Sequence, residues 1–363
     1  MSIWFGAIVV LVVYNLLSFY IGRMVQKWMN PTPSKRFAWP YYITLFLLAN
    51  AFLIGTITGI DIIRALGAYW FAWFYIFIFS IPVIHIAVAL LRFSKLPRRI
   101  VEKWAGIASV LILVLVFSYG TYNAYNPVVR TYEVGISNGG KAKNQLNIAM
   151  IADTHFGVLS NKAHAQRMVE EINALNPDLV LFPGDIVDDR IDSYREQGIE
   201  KVIAELKSTY GVYVSLGNHD KGDTAKLIDV LKASGMKVLY DETEVIADSI
   251  TLIGRKDKTE DSRLPVSALM ESVDATKPVI LLDHQPYELD IARKEGVDLM
   301  VSGHTHRGQV APFQLLTQRI YENDWGYLQK GSLHSVVSSG YGFWGPPIRT
   351  NSRSEIVQIK LTY

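Results

Sequence analysis

The sequence predicts an α/β domain of two sheets packed face to face with helices outside, preceded by a four-helix transmembrane domain. Three observations lead there. The first 125 of the 363 residues hold four long apolar segments. The remainder alternates short apolar runs with helical spacing and then becomes rich in strands. Its apolar runs end in turns crowded with Asp, Asn and His, at the strand ends where open α/β folds place their chemistry.

The apolar segments run from about Ile3 to Gly22, Pro40 to Ile60, Tyr69 to Leu91 and Trp104 to Tyr122, and none contains Asp, Glu, Lys or Arg. A bilayer crossing takes about 20 such residues. Tyr and Trp gather near their ends (Trp4, Trp39, Tyr41, Tyr42, Tyr69, Trp70, Trp104, Tyr122, Tyr125), as interfacial belts do. The first charge, Arg23, follows the first segment, the reverse of a signal peptide, so that segment is expected to stay on the protein.

The loop after the first span holds Arg23, Lys27, Lys35 and Arg36, and the loop after the third holds Arg92, Lys95, Arg98, Arg99 and Lys103. The opposite side offers only Asp61 and Arg64. Basic loops stay in the cytoplasm, so both chain ends, and the polar domain with them, are expected on the outer side of the cytoplasmic membrane. His85, near Pro82, reads as a histidine packed against a neighbouring helix, with a functional role at membrane depth as the rival. Gly55 and Gly59 read as a small-residue packing face.

Half of the chain is hydrophobic and only 19% is charged, and the apolar excess lies in the spans. A net charge of +2 without a concentrated basic face gives no argument for nucleic acid. The absence of cysteine excludes disulfide frameworks and zinc fingers. The expected organisation is spans over 1–125, a linker and first strand over 126–145, and the polar domain over 146–363.

Within the polar domain, Thr131 to Ile136 alternates as a strand, and Ser137-Asn138-Gly139-Gly140 reads as a hairpin turn into the strand that ends at Asp153. Ala163 to Leu175 has helical spacing and stops before Pro177, and the strand Leu179 to Phe182 follows. Next come a helix over Ile199 to Leu206, a strand over Gly211 to Ser215 and a helix over Ala225 to Ser234. Short strands follow at Met236 to Tyr240, Glu244 to Ile246 and Ile250 to Ile253, then a helix at Val266 to Ser272 and a strand at Val279 to Leu282. Tyr287 to Glu295 is helical, Val297 to Val301 is a strand, and Ser332 to Ser339 and Glu355 to Leu361 are strands.

Five of the eight histidines fall in the strand-end turns. The turns are Asp153-Thr154-His155, Gly184-Asp185, Gly217-Asn218-His219-Asp220, Asp283-His284 and Gly303-His304-Thr305-His306. Two carboxylates, one amide and four imidazoles (Asp153, His155, Asp185, Asn218, His284, His304, His306) make a mixed oxygen and nitrogen ligand set without sulfur. Such a set suits Mn²⁺, Zn²⁺ or Fe²⁺ better than Ca²⁺. Seven ligands are too many for one ion that must also hold substrate, so two divalent ions are expected.

These five blocks, in this order, resemble the signature of the calcineurin-like metallophosphoesterase family over about residues 145 to 363. The Gly217-Asn218-His219-Asp220 and Gly303-His304-Thr305-His306 blocks, together with the tail Ser339-Gly340-Tyr341-Gly342 to Pro347-x-Arg349 and Glu355-Ile356, are most similar to its bacterial membrane-associated branch, which acts on lipid or cell-envelope phosphoesters. The resemblance implies a four-layer α/β/β/α sandwich for the polar domain; the spans lie outside it. It implies Asp153, His155 and His306 on one ion, Asn218, His284 and His304 on the other, and Asp185 bridging both. A hydroxide held between the ions is the implied nucleophile.

His219 resembles the family's catalytic histidine, which contacts phosphate and protonates the leaving oxygen. Asp188 lies where related phosphatases keep the carboxylate that orients this histidine, with Asp189 and Asp220 as competitors. The chain has Asp189 and then Arg190 where some relatives place a phosphate-gripping arginine. Arg307 stands where glycine is common in the branch, and is either a second phosphate contact or a surface arginine. His164 and His334 read as ordinary, and the aromatic loop Tyr341 to Pro347 as core packing or a membrane-dipping loop.

The function expected is hydrolysis of a lipid-linked or cell-envelope phosphomonoester or pyrophosphate, with membrane lipids as partners. The alternatives are a phosphodiesterase acting on nucleotides or other soluble esters with the spans as a plain anchor, and a non-catalytic metal-binding sensor or scaffold.

Overall fold

The computed structural model describes residues 2–29, 35–91, 93, 97–136, 144–188 and 191–363. The turn at Ser137 to Gly140, the basic residues Arg92 and Lys95, and Asp189 and Arg190 lie outside them. The chain divides into two units, Met1–Thr121 with Gly345–Ile348, and Tyr122–Trp344 with Arg349–Tyr363.

The first unit holds α1 (Ser2–Met29), α2 (Lys35–Ala49), α3 (Ala51–Thr58), α4 (Asp61–Leu91) and most of α5 (Arg98–Tyr125). Among the described residues, α1, α4 and α5 are long and apolar enough to cross a bilayer. The second expected span is broken: α2 and α3 meet at a 56° bend, so there are four spans only if this pair counts as one.

Asn50 sits at the break. Its Nδ2 donates to Asn15 Oδ1 at 2.8 Å and to the Phe46 carbonyl at 2.8 Å. In an apolar setting a paired amide is worth keeping and an unpaired one is costly, so the chain bends where the amides satisfy each other. Hydropathy alone does not register this.

α4 starts at Asp61, earlier than the apolar run suggests, and buries Arg64 with its guanidinium carbon 5.6 Å from the Phe52 ring centre. Gly55 packs on α4 as expected, since a Cβ there would strike the Arg64 backbone. Its counterpart is Gly67, which abuts the Phe52 backbone, whereas Gly59 closes α3 at φ 72 in open space. His85 is exposed on α4, which corrects the expectation that it packs against a neighbouring helix.

Among its described residues the second unit contains two six-stranded sheets. The first runs β1 (Val128–Gly135), β12 (Glu355–Thr362), β2 (Gln145–Met150), β3 (Leu179–Pro183), β4 (Val212–Ser215), β5 (Met236–Val238). The second runs β10 (Gly326–Lys330), β11 (Leu333–Val337), β9 (Leu299–Ser302), β8 (Val279–Leu282), β7 (Ile250–Gly254), β6 (Glu242–Ile246).

β1 and β2 are not hairpin neighbours. β12 lies between them, parallel to β1 and antiparallel to β2. The short link between β1 and β2 suggested a hairpin, but pairing with the distant last strand prevails.

Period-two alternation divides the strands between layers. Leu146, Ile148 and Met150 of β2 pack across the sheets with Leu252, Ile280, Leu299 and Val301, while Ala149 faces outward to the helical layer. That layer is α6 (Lys162–Ala174), α7 (Ile191–Glu196), α8 (Ile199–Ile203) and α9 (Thr224–Ala233), which bury Met168, Ile172, Tyr194, Val202 and Leu227. On the far side α10 (Val266–Met270) and α11 (Leu289–Lys294) bury Val266, Leu269, Leu289 and Ala292 against Met300 and Leu281. The result is the four-layer α/β/β/α sandwich expected from the sequence. A last helix, α12 (Gln314–Ile320), follows β9, and neither it nor β10 was expected.

Candidate metal centre

The C-terminal ends of β2, β3, β4, β8 and β9 all open on one place, and each delivers its turn there. The turns are held in unusual backbone. Asp153, His155, Asp185, His304 and His306 all have positive φ, between 43° and 69°. A left-handed non-glycine residue costs roughly 1–2 kcal/mol, and such strain concentrates where a side chain must be aimed.

Close backbone approach is the second requirement. A Cβ on Gly303 would strike Asp153, and one on Gly184, itself at φ 88, would strike the His284 ring.

The turns then brace one another. Asp153 accepts the His304 N–H at 2.9 Å, the His155 N–H donates to the Asp185 carbonyl at 3.1 Å, and the His219 N–H donates to Asp185 Oδ1 at 2.8 Å. Asp220 is buried and accepts from the N–H groups of Ile186 (2.9 Å), Val187 (3.1 Å) and Gly217 (2.9 Å). It fixes the Asp185 loop onto the Asn218 loop rather than competing for the histidine.

Among the described residues two groups of ligand atoms result, Asp153 with His155 and His306, and Asp185 with His284 and His304, each gathered within 4.8 Å. Asp185 Oδ2 lies between them, 3.1 Å from His284 Nε2 and 3.8 Å from His155 Nε2. His155 Nε2 and His306 Nε2 face each other at 3.1 Å, and His306 Nε2 is 3.6 Å from Asp153 Oδ1. The Asn218 carboxamide oxygen is buried without a hydrogen-bond partner.

The electrostatics are those of buried carboxylates and imidazoles crowded together. Burial, and then the neighbouring Asp185, push the Asp153 carboxyl up to about 7, although His284 opposes this. Burial alone would raise Asp185 as well, but His284 and His155 outweigh it and hold the carboxyl well below its ordinary range. His284 is pushed up to about 10: burial opposes the charge, and Asp185 overrides it. His304 is lowered to about 4 by burial and by His284, and His306 falls well below its ordinary value through burial and His155. Crowded donors, an orphaned amide oxygen and two buried carboxylates are what divalent cations would satisfy, so the donor set fits two such ions.

The other expected residues fall as follows. The His219 ring is 5.1 Å from the His155 ring and 6.0 Å from Trp344, beside the first group. Asp188 sits against Gly157 and its N–H donates to the Phe156 carbonyl at 3.1 Å. The Arg307 guanidinium lies 3.8 Å over the Trp325 ring, and Trp325 is itself anchored by donating Nε1–H to Glu355 at 3.1 Å. Tyr341 and Phe343 of the aromatic loop are buried, and Trp344 is exposed.

Sequence reasoning passed over Arg349 as a site residue. It is wholly buried, donates to the Gly342 carbonyl and to Ser352 Oγ at 2.8 Å, and places Nη2 3.1 Å from His306 Nδ1. Its own carbonyl accepts from Asn123 Nδ2 at 3.1 Å, in the last turn of α5. The signal available was its place in the tail, forty-odd residues after His306.

Residues 146–308 match the calcineurin-like phosphoesterase family. A metallophosphoesterase of Campylobacter jejuni is 30% identical over 271 residues, covering 70% of this chain and 68% of its own. The chain belongs to the calcineurin-like phosphoesterase family. It is by class a metal-dependent phosphoric ester hydrolase, and its relatives use divalent ions. A metallophosphoesterase of Helicobacter pylori is 29% identical across 98% of both chains. A zebrafish protein named "transmembrane protein with metallophosphoesterase domain" is 29% identical over 82% of this chain and 72% of its own. Together with its own apolar helices, this makes the calcineurin-like chain a membrane protein.

Proposed function

We propose that the protein is an integral-membrane phosphoesterase that hydrolyses a lipid-linked or cell-envelope phosphomonoester or pyrophosphate, with its catalytic domain outside the cytoplasmic membrane. The observation that carries the reading is Asp185 Oδ2 standing between two ligand groups in a chain that also holds bilayer-length helices. The basic loops of the spans support the orientation.

Asp153, His155 and His306 would hold one ion, and Asn218, His284 and His304 the other, with Asp185 shared; Mn²⁺, Zn²⁺ and Fe²⁺ all suit this donor set. Bound there, the pair would supply an activated water as nucleophile and positive charge against the phosphoryl oxygens. The chain supplies the rest. His219, tied through its backbone to Asp185, carries its imidazole beside the first group, where it protonates the departing oxygen. Asp188, at the end of the Asp185 loop, orients that imidazole. His284 is aimed by its own Nδ1, which donates to the Pro183 carbonyl at 2.9 Å and leaves Nε2 directed at the site. Arg307 offers a guanidinium at the rim for a second phosphate or a leaving group.

The test is phosphate release from detergent-solubilised lipid phosphates with Mn²⁺, comparing the wild type with Asp185→Asn and His219→Ala. Equal rates in the three would end the enzymatic reading. Turnover of soluble esters alone would instead favour a phosphodiesterase on a plain anchor.

A further inference from the structure

α12 is built inside out. Gln314 and Thr317 are half-buried against the domain, and Thr317 Oγ1 donates to Asp324 Oδ2 at 2.8 Å. The apolar side chains turn the other way: Phe313 just before the helix is 44% exposed, Leu315 61%, Leu316 54% and Ile320 48%. A helix on a water-facing surface does the reverse, and a cluster of large exposed apolar groups marks an interaction surface.

The position of the helix matters as much as its composition. It leaves the turn that carries His304 and His306 within a few residues, and the Tyr321 ring that ends it is 6.1 Å from the His304 ring. From Met300 to Tyr321 there is no Asp or Glu, while Arg307 and Arg319 are present; Glu322, the next residue, is neutralised by Lys330 at 2.7 Å, and Asp324 is held on the inner side by Thr317. Trp344, 56% exposed, is held to the same loop by paired hydrogen bonds of 3.0 Å with Gln309, and stands over His219. An apolar helix face without carboxylates of its own and with Arg319 in its last turn is complementary to an anionic lipid surface.

We infer that α12 lies in the headgroup layer of the bilayer, with Phe313, Leu315, Leu316 and Ile320 in the acyl boundary and Arg319 reaching phosphate. This rests on the chain being a membrane protein and, for its consequence at the site, on the lipid-borne substrate proposed above. The helix is about 10 Å long, enough to hold the rim of the metal centre at the depth where a lipid phosphate lies.

The chain has no cysteine, so single cysteines can be placed and spin-labelled in the full-length protein. The probe is Leu316→Cys in vesicles of phosphatidylcholine and phosphatidylglycerol, with Asp229→Cys, on the exposed side of α9, as the aqueous reference. At 316, collisions with oxygen are expected to exceed those with a water-soluble nickel complex several-fold, relative to 229. Equal accessibility to nickel at both positions would overturn the inference. So would spin–spin broadening at 316 that vanishes on dilution with unlabelled chains, because a second copy would then cover the face. The readout does not involve turnover, so an immersed α12 in a protein inert on lipid phosphates would refute the substrate and leave the docking intact.

Discussion

His284 directs Nε2 at Asp185 Oδ2, 3.1 Å away, while its Nδ1 donates to the Pro183 carbonyl. Asp185 overcomes the effect of burial and raises His284 to about 10, so the imidazole carries a second proton at neutral pH. That proton occupies the lone pair an ion needs. Ion uptake near neutral pH is therefore expected to expel it, and affinity to rise with pH by about tenfold per unit for each proton released. Titration calorimetry of Mn²⁺ in buffers of different ionisation enthalpy reads the proton count. A count of zero at pH 7 would contradict this arrangement.

His219 and Asp220 are neighbours with opposite duties. His219→Ala is expected to keep both ions and lose about 10²–10⁴ in kcat. Asp220→Asn leaves three buried N–H groups facing a poorer acceptor and is expected to cost about 1–3 kcal/mol in stability. Metal analysis and thermal unfolding separate the two, and loss of ions in the His219 variant would count against its assignment as proton donor.

Arg349 ties together the Gly342 carbonyl, Ser352, His306 and, through its own carbonyl, Asn123 of α5. Burial lowers its guanidinium only to about 10, so it stays charged. Arg349→Met is expected to destabilise the domain by about 2–4 kcal/mol, and Asn123→Ala by about 1 kcal/mol. Unfolding temperatures in detergent check the order. An unchanged Arg349→Met would mean that the buried guanidinium supports nothing.

His164 is buried against Tyr341, ring centres 4.4 Å apart, and burial lowers it to about 4. The unfolded ring titrates near 6.5. A depressed folded value means stability is complete above 6.5 and is lost as pH falls from there through about 4, by at most about 3 kcal/mol. His164→Phe is expected to flatten that part of the pH–stability curve. Parallel curves for the two proteins from pH 7 to 4 would contradict it.

The site was legible because its grammar is local. Short apolar runs such as Val279–Leu282 end directly in ligands such as His284, and a strand's C-terminal turn exposes whatever residue it carries. What escaped is not local. Arg349 becomes a site residue only when the tail folds back on His306, and β12 separates β1 from β2 through pairings more than two hundred residues apart in sequence. α12 escaped for a physical reason of its own. Its apolar residues face away from the core, so Leu315 and Leu316 gave no core-facing stripe to read. The bend at Asn50 escaped because hydropathy averages over an amide pair.

The central claim is that two cations share Asp185, and paramagnetic resonance of the Mn²⁺-loaded protein tests it most directly. The wild type is expected to give the multiline spectrum of an exchange-coupled manganese pair, and Asp185→Asn to lose it. Two uncoupled six-line signals in the wild type, or a coupled spectrum that survives the substitution, would contradict the account.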